Sequence, residues 1–224
     1  MNILALDTST EYCSVALLHD GKLTFREELA GQKHSELILA MIDVLLDASN
    51  LDLANLHGIA FGAGPGSFTG LRIACGVAQG LAFGAGLPVV PVGTLLALAE
   101  AAGVPRVVTC LDARMGEIYH AAYQHNGAGW SETVMPNVCK ADAAPALEGG
   151  DWVGCGSGFA VYGDELAARY HGQLARVRWR AFPHAREVAQ LALPVLAAGQ
   201  GVLAEQAAPL YVRDKVARKM HEQP

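Results

Sequence analysis

Apolar residues at the start of the chain fall into short blocks. Residues 2–7, 13–18 and 23–27 are runs of strand length, and the last two flank His19-Asp20-Gly21-Lys22, whose Asp-Gly step is a hairpin signal. Three antiparallel strands are expected. The spacing then changes: Leu37, Ile38, Met41, Ile42, Leu45 and Leu46 recur with helical period over His34–Ala48, with Ser35 near the start. A strand at 57–61 follows, then a glycine-rich bend, a helix over about Phe68–Ala85, a strand at Val89–Val92 and a helix over Thr94–Ala102. The order is β-β-β-α-β-α-β-α.

After Gly103-Val104-Pro105 the same order begins again. Val107–Leu111, Ile118–Tyr123 and 130–134 read as three strands, followed by a helix near 140–147, a strand at Trp152-Val153, and helices over Phe159–Tyr170 and Ala185–Ala198. A duplicated unit of this kind predicts an α/β chain of two lobes, residues 1–104 and a more degenerate 105–224. That is the pattern of the actin-like, sugar-kinase and heat-shock ATPase fold: a duplicated ribonuclease H-like arrangement of mixed sheets flanked by helices.

Composition narrows the partners. Hydrophobic residues make up 52% of the 224 and charged ones only 17%, which leaves little surface for solvated charge and favours a buried partner interface. The net charge of −6 argues against autonomous nucleic-acid binding. Five cysteines are widely spread with no C-x-x-C, so reduced thiols and a cytoplasmic location are the simplest reading. The first residues, Met1-Asn2-Ile3-Leu4-Ala5-Leu6-Asp7, lack the basic n-region of a signal peptide. The apolar stretch Ile73–Leu87 is too short for a bilayer and is interrupted by Gln79, so no membrane association is expected.

The glycine bend, Gly62-Ala63-Gly64-Pro65-Gly66-Ser67-Phe68-Thr69-Gly70, is built for close backbone approach, with Ser67 placed to cap the helix after it. A Walker A loop would need a lysine, and none occurs from 58 to 85. The spacing of Gly64, Gly66 and Gly70 also fails the dinucleotide fingerprint. Within the following helix, Gly76, Gly80 and Gly84 recur at i, i+4, i+8, each costing about 0.8–1 kcal/mol relative to Ala. Close approach of a second helix is the physical reason for such a stripe. The helix before it is apolar on more than one face, because Leu39 and Val44 lie off the Leu37/Met41/Leu45 stripe. A partner interface is therefore expected over Leu37, Met41, Leu45, Gly70, Arg72, Ile73, Gly76, Gly80 and Gly84, with loop and helix glycines forming one series.

In the actin-like pattern an Asp ending the first strand of each lobe meets phosphate. Asp7-Thr8-Ser9 resembles that turn, with Ser9 where glycine is common, and side-chain bonding within the turn is an equal alternative. Asp112 opens the second turn, but Arg114 occupies it. Gly154 and Gly156 lie where an adenosine-side loop would be, although a structural turn is favoured. These six residues, Asp7, Thr8, Ser9, Asp112, Gly154 and Gly156, define a degenerate nucleotide cleft. No metal site is expected, since the eight histidines include no i, i+4 pair, and no nucleophile elbow is present. The alternating arginines of Arg176-Val177-Arg178-Trp179-Arg180 fit a strand with one solvated charged face. A second basic cluster, Arg213 to Lys219, is placed to graze a phosphate backbone in a larger assembly.

Four segments together resemble the bacterial TsaB family: Ile3-Leu4-Ala5-Leu6-Asp7-Thr8-Ser9, Gly64-Pro65-Gly66-Ser67-Phe68-Thr69-Gly70-Leu71-Arg72, Leu111-Asp112-Ala113-Arg114-Met115-Gly116-Glu117-Ile118-Tyr119 and Pro209-Leu210-Tyr211-Val212-Arg213. The resemblance implies a non-catalytic subunit of the machinery that installs threonylcarbamoyl on the adenosine beside the tRNA anticodon. It implies pairing with a TsaD-type catalytic paralogue through helices 34–48 and 68–85, with a TsaE-type ATPase docking at the junction. It also implies tRNA contact through the complex, and ATP and Mg used by the complex with no cofactor held by this chain. Separately, the surplus apolar face of the two helices makes a homodimer the expectation when the partner is absent. Two rival readings stay open: an actin-like ATPase or small-molecule kinase using Asp7 and Asp112, and a glycoprotease-like peptidase.

Overall fold

Residues 1–213 are described by a computed structural model; Lys215, Arg218 and Lys219 of the second basic cluster lie outside the described residues. Strands β1 (Ile3–Asp7), β2 (Tyr12–His19) and β3 (Lys22–Leu29) form an antiparallel meander, turned between β2 and β3 by Asp20 and Gly21, both at positive φ. Helix α1 (His34–Ala48) leads to β4 (Gly58–Gly64), helix α2 (Phe68–Ala85), β5 (Val89–Gly93) and helix α3 (Thr94–Ala102). The first sheet has the order β3-β2-β1-β4-β5, with β4 and β5 parallel to β1.

The second half repeats this plan. β6 (Arg106–Asp112), β7 (Ile118–His125), β8 (Trp130–Cys139), β9 (Trp152–Cys155) and β10 (Leu174–Arg178) form a sheet of order β10-β9-β6-β7-β8, the same topology strand for strand. The chain is thus α/β with the duplicated actin-like architecture.

Strand alternation divides the first sheet between two cores. Leu4, Leu6, Val15, Leu17, Ile59 and Phe61 face α1 and α2, while Ile3, Ala5, Ala16, Ala60, Val90 and Val92 face the other way. Helix α6 (Ala185–Ala197) covers that second face with Ala185, Val188, Ala189, Ala192 and Leu196, small residues that let it lie close to the sheet. It comes from the sequence of the second lobe yet packs on β1 and β2. The second sheet is held by α3 on one face, and on the other by α4 (Gly158–Val161) and α5 (Gly163–Arg169) around Trp152, Phe159 and Tyr170.

Three expectations change. The helix near 140–147 is only a 3-10 turn at Ala141–Ala143, stopped by Pro145, which cannot continue a hydrogen-bonded helix. The helix over 159–170 breaks at Tyr162 (φ −122°, ψ 39°), just before Gly163. Strand β8 runs to Cys139, past Pro136, because it is an edge strand where a missing N–H breaks no ladder.

Candidate functional site

The glycine bend folds onto the Asp7 turn. A Cβ at Gly70 would run into the carbonyl of Thr8, one at Gly62 into Asp7 Oδ2, and one at Gly66 would sit 2.5 Å from the Ser9 carbonyl. Thr8 Oγ1 donates to the Gly70 carbonyl at 2.7 Å, and Ser9 N–H donates no further than Asp7 Oδ1, at 3.0 Å, joined there by the Ser9 hydroxyl at 2.8 Å. As expected, Ser67 caps α2 by accepting from Gly70 N–H at 3.3 Å. The result is a sealed turn in which Asp7 and Thr8 have no solvent exposure and Ser9 almost none.

Burial without a charged partner has an electrostatic cost. Asp7 Oδ2 is buried with no hydrogen-bond partner, and desolvation raises the carboxyl from 3.8 to about 7, against the lowering effect of the Ser9 bonds. Glu187 on α6 adds a smaller upward push. The Thr8 and Ser9 backbone of this turn is covered by the chain's own glycine bend.

At the second turn, Asp112 is engaged by Arg114, whose Nη1 lies 3.0 Å from Oδ2 and whose N–H donates to Oδ1 at 2.9 Å. Arg114 and Met115 both hold positive φ there. Gly154 and Gly156 are buried: a Cβ on the first would strike the Phe159 ring at 2.6 Å, and one on the second the Cys110 carbonyl. Both are internal packing positions. Asp112 N–H donates to Ser157 Oγ at 3.1 Å, so the structure brings Asp112 and this loop together.

The segment Pro209–Arg213 links the two turns. Leu210 N–H donates to Ala63 O at 2.7 Å, and three residues on, Arg213 Nη1 donates to Ala113 O at 2.9 Å while its other nitrogen pairs with Glu117. Tyr211 packs on Phe68 at 5.7 Å between centroids, and its hydroxyl accepts from Arg72 Nε at 3.1 Å. All four sequence segments that carry the family resemblance therefore meet at one place. The hollow left among Pro65, Phe68, Tyr119 and Leu210 is about 40 Å³, room for a water or two and far below the roughly 300–1,000 Å³ of ligand pockets. This strap was not foreseen, since nothing in Pro209-Leu210-Tyr211 announces contacts across the whole length of the chain.

The outer side of α2 is open. Gly76, Gly80 and Gly84 are exposed, and a Cβ on any of them would meet nothing within 4 Å. Arg72, exposed, stacks on Phe68 at 3.8 Å; Ile73 is half-buried; Phe83, 77% exposed, flanks the stripe. On α1, Leu37 is half-buried, but Met41 and Leu45 lie in this chain's own core, and Gly70 is buried under Thr8. The outward apolar residues of α1 are instead Leu39 and Val44, 50% and 42% exposed. Loop and helix glycines are accordingly two groups and not one series. Among the described residues no cluster of three metal-ligating side chains occurs, and no helix is long and apolar enough to cross a membrane.

Comparison with known proteins agrees with this architecture. The family model for TsaD, tRNA N6-adenosine threonylcarbamoyltransferase, matches residues 26–220. The tRNA threonylcarbamoyladenosine biosynthesis protein TsaB of Escherichia coli is 40% identical, over 98% of this chain and 97% of that protein. The solved structure of YeaZ from Pseudomonas aeruginosa is 39% identical and superposes with a TM-score of 0.86, over 94% of this chain and 99% of that one. Component A of Acidaminococcus fermentans (R)-2-hydroxyglutaryl-CoA dehydratase, at 10% identity and a TM-score of 0.51, shares the fold alone. The chain belongs to the TsaB family of tRNA threonylcarbamoyladenosine biosynthesis proteins.

Proposed function

We propose that this chain is a non-catalytic, activating subunit of a tRNA threonylcarbamoyladenosine synthase, pairing with a TsaD-type catalytic paralogue in the cytoplasm. The observation that carries the reading is the open stripe of α2. Three glycines cost about 1 kcal/mol each in an exposed helix and pack against nothing in this chain, so their gain must come from a second helix brought close. Phe83 flanks the stripe, and Leu39 and Val44 on α1 are likewise exposed apolar residues that supply area for such a contact.

Chemistry is left to the partner. The sealed Asp7 turn and the Arg114-occupied Asp112 turn argue that ATP and Mg are used elsewhere in the complex, with the TsaE-type ATPase at the junction. This chain acts by binding the competent state of the catalytic subunit more tightly than its other states, a shift of population. Without that partner, the same apolar face pairs two copies of this chain.

Reconstitution tests the reading. Transfer of threonylcarbamoyl to tRNA by the catalytic subunit and the ATPase is expected to require this chain, and Gly80→Asp is expected to abolish both activation and co-elution on size-exclusion chromatography while the monomer stays folded. Full activity without the chain defeats the subunit role.

A further inference from the structure

The second lobe carries a segment of opposite charge to the chain as a whole. From Leu166 to Arg186 there is no Asp or Glu, while Arg169, Arg176, Arg178, Arg180 and Arg186 fall in that window of a chain of net charge −6. Arg176 and Arg178 lie on β10, the free edge of the second sheet, paired with Val153 and Cys155 and so on one face of it. Arg178 is used internally, donating to the Ala102 carbonyl at the end of α3 at 2.7 Å. Arg176 and Arg180 are exposed, and no ion pair among the described residues involves either. Just past the strand, Trp179 is 46% exposed, with the Arg180 guanidinium carbon 4.3 Å from its ring centroid. Val177 to Ala181 form an open, shallow stretch of surface.

Charge on an edge strand blocks pairing with other strands, and that suffices to explain Arg176. It does not explain Trp179, because a protective edge gains nothing from an indole left half in water. A ring backed by a guanidinium and flanked by unpaired positive charge matches single-stranded nucleic acid: a base stacks on the ring while the arginines meet phosphates. We propose that Arg176, Trp179 and Arg180 at the β10 edge form a docking site for an unpaired RNA segment. The choice of RNA rests on the tRNA-modifying role proposed above; the stacking and charge come from the site itself. An A-form duplex hides its base faces, so an unpaired loop is preferred over a stem.

Fluorescence anisotropy of the full chain with a labelled unpaired oligoribonucleotide and with an RNA duplex of equal length tests this. The single strand is expected to bind more tightly than the duplex, with a log–log salt slope of about −1.4 for two phosphate contacts. Trp179→Ala and the Arg176→Ala/Arg180→Ala pair are each expected to weaken binding by about tenfold. Equal affinity for duplex, equal binding of anionic phospholipid vesicles, or variants that bind RNA like the parent overturn the proposal. The site is on the lobe without α1 and α2, so the same variants are expected to pair normally with the catalytic paralogue. If the parent chain fails to pair yet binds RNA through these residues, the subunit role falls and the docking site stands.

Discussion

The bend before helix α2 and the helix itself carry two sets of glycines that look alike in sequence and are opposite in space. Gly62, Gly66 and Gly70 are pressed against Asp7, Thr8 and Ser9, whereas Gly76, Gly80 and Gly84 face emptiness. In the first set glycine is required by this chain's own backbone, so its loss damages folding. In the second, glycine weakens the isolated helix, so its loss is expected to strengthen the monomer and, on the proposed function, to harm the docking of a partner. The contrast separates what a residue does for the fold from what it does for a partner.

The largest effect that probes this contrast is electrostatic. The folded-state pKa of Asp7 is raised from 3.8 to about 7, so the folded chain holds the extra proton between those values. Its contribution to stability is complete below pH 3.8 and is lost as pH rises through about 7, by about 4 kcal/mol. Urea denaturation across this window is expected to show Asp7→Asn gaining on the parent by that amount; parallel pH curves would mean that the turn is wetter than its burial implies.

Next in size, Gly70→Ala is expected to destabilise the chain by about 3 kcal/mol, because its Cβ meets backbone and not a movable side chain. Gly80→Ala goes the other way. It is expected to raise monomer stability by up to about 1 kcal/mol while weakening pairing with the catalytic paralogue, read by calorimetry on both. An equal loss of stability in the two alanine variants would erase the distinction. The smallest effect lies where the two sets adjoin: Tyr211→Phe removes the hydroxyl that accepts from Arg72, at an expected cost of about 1 kcal/mol in thermal unfolding and little change in pairing.

Local signals carried much of this architecture. The bounds of α1, α2 and α3 follow from periodicity and terminal residues, and the Asp20-Gly21 turn from its composition. The duplication was legible because each half spells the same order of elements, and both sheets then share one topology. Long-range contacts were not legible. Nothing near Gly70 indicates that Thr8 lies beneath it, and which of the two apolar sets on α1 points inward, Met41 and Leu45 or Leu39 and Val44, is decided only by the sheet's position. In the second half, Gly163 and Pro136 act through context, one breaking a helix and the other tolerated on an edge.

Helix α6 has a consequence for how the molecule is made. The face of the first sheet formed by Ile3, Ala5, Ala16 and Ala60 is covered by α6, the last long helix among the described residues. During synthesis that face therefore stays bare until residues beyond 185 have left the ribosome, after every strand of both sheets has already emerged. A nascent chain cut after β10 would keep its strands and lack the cover that closes them. The two lobes are thus repeats in plan but a single unit in assembly, and the first sheet cannot close its second face until α6 has been made.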